Sequence, residues 1–159
     1  MESLTQRLYT ACGLLVAALA TVVVVQAWLG ERSLAEGHAA QRRGEFSVAA
    51  ADYRAAGGRV NADAAVELAR LQLLRRDWAG AAGSLHEAMA LAPTRGLPHL
   101  LQAQLEMDSP GPWDDAREKR ILGSCTIATA LEPNRAEIVR GCETISRRMG
   151  ELPRRDGGR

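Results

Sequence analysis

Two hydrophobic patterns divide the chain. From Leu8 to Leu29 every residue is uncharged and most are apolar, with Arg7 before the run and Glu31 after it. At about 1.5 Å rise per residue such a helix is roughly 33 Å long, enough to cross a hydrocarbon core of about 30 Å. Beyond residue 30 the pattern changes to small apolar residues, chiefly alanine, recurring every three or four positions among charged ones. That period places them on one face of each of several short helices. The expected architecture is therefore all-α: an N-terminal tail over 1–7, a transmembrane helix over 8–30, a helical-hairpin domain over 31–149 and a flexible tail over 150–159.

The apolar run admits two readings. Arg7 and the small residues of Val25-Gln26-Ala27 suit a cleaved secretory signal, whereas the run exceeds the roughly 7–15 residues of a signal's apolar region and so suits a retained anchor. Tyr9 and Trp28 stand near its two ends, at the headgroup depth that amphipathic rings prefer. Its orientation is contested by charge. Arg32, Arg42 and Arg43 outnumber Arg7 and the α-amine, which by the positive-inside rule keeps the following domain in the cytoplasm. A short tail ahead of a first apolar segment is instead the arrangement of a bacterial signal anchor. The expectation is a single pass through a bacterial inner membrane with the domain periplasmic or otherwise extracytoplasmic. Gly13, Ala17 and Thr21 recur every four residues, either as a stripe where another transmembrane helix approaches or as the ordinary small-residue content of such spans.

Charge narrows the partners. With 20 Lys+Arg against 19 Asp+Glu the net charge is +1, so no strong field draws nucleic acid or acidic substrates. Aromatics are 4% of residues, and Val and Ile are scarce beyond residue 29, which disfavours a sheet.

The domain repeats itself. At a shift of 32 residues Phe46, Ala49, Tyr53 and Ala56 fall on Trp78, Ala81, Leu85 and Ala88, and Gly37 falls on Ala69. At a shift of 40, Ala81, Leu85, Ala88, Leu91 and Pro93 fall on Ile121, Cys125, Ala128, Leu131 and Pro133. The added length lies in Asp108-Ser109-Pro110-Gly111-Pro112-Trp113, where two prolines end any helix. Ala49, Tyr53 and Ala56 share one helical face, so each helix pair has an apolar face that only a stacked neighbour can bury.

These residues resemble the tetratricopeptide repeat, a helix-turn-helix unit with alanines, one large apolar residue and a closing proline. The resemblance covers about residues 31–149: three repeats, the third with a lengthened turn, and a capping helix over about Asn134–Met149 with Ile138, Val139, Cys142 and Ile145 turned inward. Ser33 departs from the pattern, standing where a large residue is usual, and the register of the third repeat's first helix is open around Leu100, Leu101 and Ala103. The resemblance implies a concave surface lined by first helices that holds a polypeptide segment. Its lining here would be His38, Gln41 and Arg42, then Arg70, Leu73 and Leu74, then Gln102.

No constellation for catalysis stands out. His38, His86 and His99 have no partner at metal-ligand spacing, Asp114, Asp115 and Glu118 suit the start of a helix, and no glycine-rich phosphate loop occurs. No enzyme, cofactor, metal or small-molecule substrate is expected. Cys12 lies in the apolar run; Cys125 and Cys142 lie on helices that should pack together, either as a disulfide in an oxidising compartment or as two buried thiols. The expected role is a non-catalytic scaffold, subunit or assembly factor of an integral membrane complex, energy-transducing or secretory. The alternative is a transient chaperone for protein export or cytochrome c maturation. In either case the partners are an integral membrane complex or a translocated polypeptide, together with the lipid bilayer, and not nucleic acid.

Overall fold

The structure is a computed structural model that describes residues 4–57 and 61–151, with the side chains of 4–8, 10 and 11 excepted. Seven helices follow one another: α1 (Leu4–Arg42), α2 (Phe46–Gly57), α3 (Ala62–Leu74), α4 (Trp78–Leu91), α5 (Leu97–Asp108), α6 (Asp115–Leu131) and α7 (Ala136–Glu151). No strand occurs among the described residues. The chain forms two compact units, α1–α2 and α3–α7.

In the first unit α1 is one helix of 39 residues, about 58 Å long at 1.5 Å per residue. Its amino-terminal part is long and apolar enough to span a membrane, and that stretch is not buried inside the protein. Val16, Val23 and Val24 are exposed by about two thirds, unlike the core helix of a globular domain. The end of the apolar run is not a break in the helix. No proline interrupts Gly30–Arg42, and Arg32 both pairs with Glu36 at 2.8 Å and lies 6.0 Å from the centre of the Trp28 ring. The same rod that exposes its apolar half therefore supplies, over its last turns, the first helix of a hairpin.

That hairpin closes through small residues. Gly37 and Ala40 of α1 are buried against α2, whose Ala49, Tyr53 and Ala56 are fully buried. The expected common face of these three is thus the packing face, and Tyr53 fills the space between the alanines.

The second unit repeats the arrangement. Ala65, Ala69 and Leu73 of α3 share a core with Ala81, Leu85 and Ala88 of α4, and with Ile121, Cys125 and Ala128 of α6. Within the α3–α4 hairpin, the Gln72 amide nitrogen donates to Ser84 Oγ at 2.8 Å and to the carbonyls of Gly80 and Leu68, each at 3.2 Å. A buried amide is tolerable because its donors are met. Asp77 caps α4 by accepting from the Gly80 backbone N–H at 3.0 Å, and Asp114 caps α6 by accepting from Arg117 N–H at 2.7 Å. The acidic cluster Asp114, Asp115 and Glu118 accordingly sits at a helix start.

In α5 the open register resolves with Leu100, Leu101 and Ala103 all buried. The capping helix α7 begins at Ala136, two residues later than Asn134, because Arg135 N–H closes a turn onto the Glu132 carbonyl at 3.2 Å. Its Ile138, Cys142 and Ile145 are buried while Arg140 and Arg147 are exposed. Gly150 and Glu151, expected in the tail, complete α7; residues 152–159 lie outside the described residues.

Candidate functional site

In the second unit the alternate helices α3, α5 and α7 line a groove of about 1060 Å³. Leu73, Leu97, Leu100 and Leu101 form its buried apolar floor, Trp78 at the start of α4 is half-buried in one wall, and Leu74 stands 74% exposed at the edge.

The polar wall is mostly self-neutralised. Arg70 donates to Glu137 at 2.5 Å, joining α3 to α7, and to Glu67 at 3.4 Å. Arg148 holds Asp108 at 2.9 Å. Gln104 and Arg76 complete the polar lining.

The loop Ser109–Trp113 borders this groove through Pro110 and is organised from beneath by one buried arginine. Arg117, 5% exposed, donates Nε to the Glu106 carbonyl at 2.6 Å and Nη1 to the Gly111 carbonyl at 3.2 Å. Its Nη2 donates to the carbonyl and, at 3.1 Å, the hydroxyl of Ser109, and its guanidinium lies 5.4 Å from the Trp113 ring centre. Charge-assisted bonds to several carbonyls give a glycine- and proline-rich loop one conformation.

The expected lining residues fall into three groups. Arg70, Leu73 and Leu74 line the groove. Gln102 is on α5 but outside the lining, half-buried and 3.5 Å from Glu106. His38, Gln41 and Arg42 belong to the first unit, where the Tyr53 hydroxyl donates to Gln41 Oε1 at 2.6 Å and lies 3.1 Å from His38 Nδ1. His38 and Gln41 are thus internal partners of a core tyrosine, and Arg42 is exposed. Sequence reasoning missed Trp78, Arg76, Asp108 and Glu137. Trp78 was within reach, being the equivalent of Phe46, whereas Glu137 required knowing that the capping helix extends the series α3, α5.

Elsewhere, Gly13, Ala17 and Thr21 lie exposed along α1, with Thr21 Oγ1 donating to the Ala17 carbonyl at 2.8 Å. Cys125 and Cys142 are buried free thiols, Cys142 Sγ lying 3.7 Å from the Cys125 carbonyl. Burial pushes the Cys125 thiol up to about 12, with the Cys142 contact adding to it. Burial also lowers His99 below the usual imidazole value. No group of three or more potential metal-ligating side chains occurs among the described residues.

No protein-family model matches the chain, and no curated protein does. Solved structures do. The tetratricopeptide-repeat (TPR) domain of Arabidopsis OM64 superposes with a TM-score of 0.63 at 17% identity, over 77% of this chain and 98% of that one. The Sgt2 TPR domain from Aspergillus fumigatus gives 0.63 at 21% identity, over 82% and 88%. The first TPR of Spaghetti (RPAP3), solved bound to the HSP90 peptide SRMEEVD, gives 0.61 at 14% identity, over 78% and 95%. The fold is that of a tetratricopeptide-repeat domain, all-α as the repeats implied.

Proposed function

We propose that the chain is a non-catalytic, membrane-anchored scaffold, and that its groove holds an extended segment of another polypeptide belonging to an integral membrane complex as its subunit or assembly factor. The observation that bears the reading is the groove itself: an apolar floor with a thin polar wall, set between alternate helices of a tetratricopeptide fold. One structural neighbour was solved with a peptide bound, so the fold accommodates such ligands. The exposed apolar half of α1 supports a single membrane pass, and the short tail ahead of it is the arrangement of a bacterial signal anchor, which would put the repeats on the extracytoplasmic side of the inner membrane.

Confinement to a membrane raises the effective concentration of co-resident partners, so a short groove with modest affinity suffices. Because α1 is unbroken, the first hairpin then stands directly on the bilayer surface with no slack between it and the anchor.

The test is extraction of the intact chain from its native membrane in mild detergent, followed by size separation and mass spectrometry. Stoichiometric comigration with one membrane assembly is the expected result. A changing set of substoichiometric clients would favour the chaperone reading instead. Recovery of the chain in the soluble fraction after cell breakage would overturn the anchor.

A further inference from the structure

Two helix-ending turns share a backbone and differ at its one demanding position. After α1, Gly44 N–H bonds the Gln41 carbonyl and Glu45 N–H bonds the Ala40 carbonyl, both at 3.0 Å. After α3, Arg76 N–H bonds the Leu73 carbonyl at 3.0 Å and Asp77 N–H bonds the Gln72 carbonyl at 2.9 Å. Both are the motif in which crossed bonds close a helix around one left-handed residue, a place that glycine fills most readily. Gly44 has φ +77° and Arg76 has φ +59°, and Arg76 is the non-glycine residue with positive φ among the described residues. An L side chain there brings Cβ against the following carbonyl, a clash that glycine avoids.

The second turn therefore holds an arginine where the first shows that glycine does the same structural work. Its surroundings give the reason. Arg76 lines the groove. The acidic side chains of that lining are occupied, Glu137 by Arg70 and Arg135 and Asp108 by Arg148. Neighbouring Asp77 is committed to the α4 cap. Of the two arginines in that lining Arg70 is held by carboxylates, whereas no carboxylate pairs with Arg76 among the described residues, so its guanidinium is the lining cation left without a partner.

We propose that Arg76 is the specificity-determining cation of the groove, kept in a strained conformation to receive an acidic side chain of the bound segment. The ligand is an extended peptide that lays apolar side chains on Leu73, Leu97 and Leu100 and places an aspartate or glutamate at the α3–α4 turn, where a guanidinium donates two hydrogen bonds to a carboxylate. This rests on the groove reading above.

The experiment uses the full chain in mild detergent at low ionic strength, with two blocked hexapeptide probes: one alternating leucine and glutamate, the other leucine and glutamine. The wild type is expected to bind the glutamate peptide about five-fold more tightly, an advantage that salt reduces. Arg76→Gly should abolish that preference while raising the melting temperature by about 2–5 °C, and Arg76→Lys should retain part of the preference. Equal binding of both probes by the wild type would leave the groove reading intact and overturn the role of Arg76. Failure of both probes to bind at millimolar concentration would overturn the groove reading and this proposal with it. A preference surviving in Arg76→Gly, or a lower melting temperature for that variant, would show that the arginine serves elsewhere. Concentration-dependent dimerisation abolished by Arg76→Gly would assign the groove to a second copy and overturn the peptide assignment.

Discussion

A Cβ placed on Gly37 would stand 2.5 Å from Cε1 and 2.7 Å from Cδ1 of Tyr53. The α1–α2 hairpin thus closes by giving one position no side chain and the facing position a large ring. At the equivalent sites of the next hairpin, Ala69 and Leu85 divide the same space differently, and both are fully buried. Gly37→Ala should destabilise the first hairpin by about 1–3 kcal/mol through overpacking, despite the gain of about 1 kcal/mol in helix propensity. The ring cannot swing aside freely because its hydroxyl is bonded to Gln41. Tyr53→Leu in the same chain should recover much of the loss, giving a double-mutant coupling that hydrogen exchange of the α2 amides reads directly.

Arg117 should prove far more sensitive than the exposed arginines. Its guanidinium satisfies carbonyls at Glu106, Ser109 and Gly111, which a lysine ammonium cannot reach together. Arg117→Lys is expected to cost about 2–4 kcal/mol, because buried acceptors lose charged donors. Urea unfolding should register the loss, and exchange should accelerate first in the Ser109–Trp113 loop.

The ion pair between Arg70 and Glu137 should behave oppositely. Both side chains are substantially exposed, at 34% and 47%, so removing the pair by Glu137→Gln is expected to change stability by less than about 1 kcal/mol. A thermal melt that shifts by more than a few degrees would show that this contact holds α7 in place.

Alkaline pH should destabilise the second unit through Cys125. Its folded pKa, about 12, lies above the reference value of 9.0, so the unfolded chain releases the proton first and the folded state binds more protons between those values. The thiol's contribution to stability is complete below about pH 9 and is lost as pH rises toward 12. Cys125→Ala should flatten that part of the stability–pH curve. Being buried, Cys125 and Cys142 should also resist alkylation at pH 8 in the folded protein, and unfolding without reductant should expose both as free thiols.

The periodic signals were readable wherever one short stretch of chain sets the outcome. An unbroken apolar run, alanines on one face at Ala49 and Ala56, a proline-rich interruption before Trp113 and an acidic cap at Asp114 each act through neighbours within a few residues, so their spacing alone predicts helices, turns and the repeating hairpin. The groove obeys no such rule. Glu137 reaches Arg70 from 67 positions away, Asp108 is held by Arg148 from 40 away, and His38 and Gln41 meet the hydroxyl of a core tyrosine. Two like turns, one with Gly44 and one with Arg76, differ in the sequence by a single substitution whose meaning depends on the wall beside it. Helical period specifies which face is buried, because burial repeats with the backbone; which polar groups meet on the remaining face is settled by how separate helices stack, and only the tertiary structure decided that.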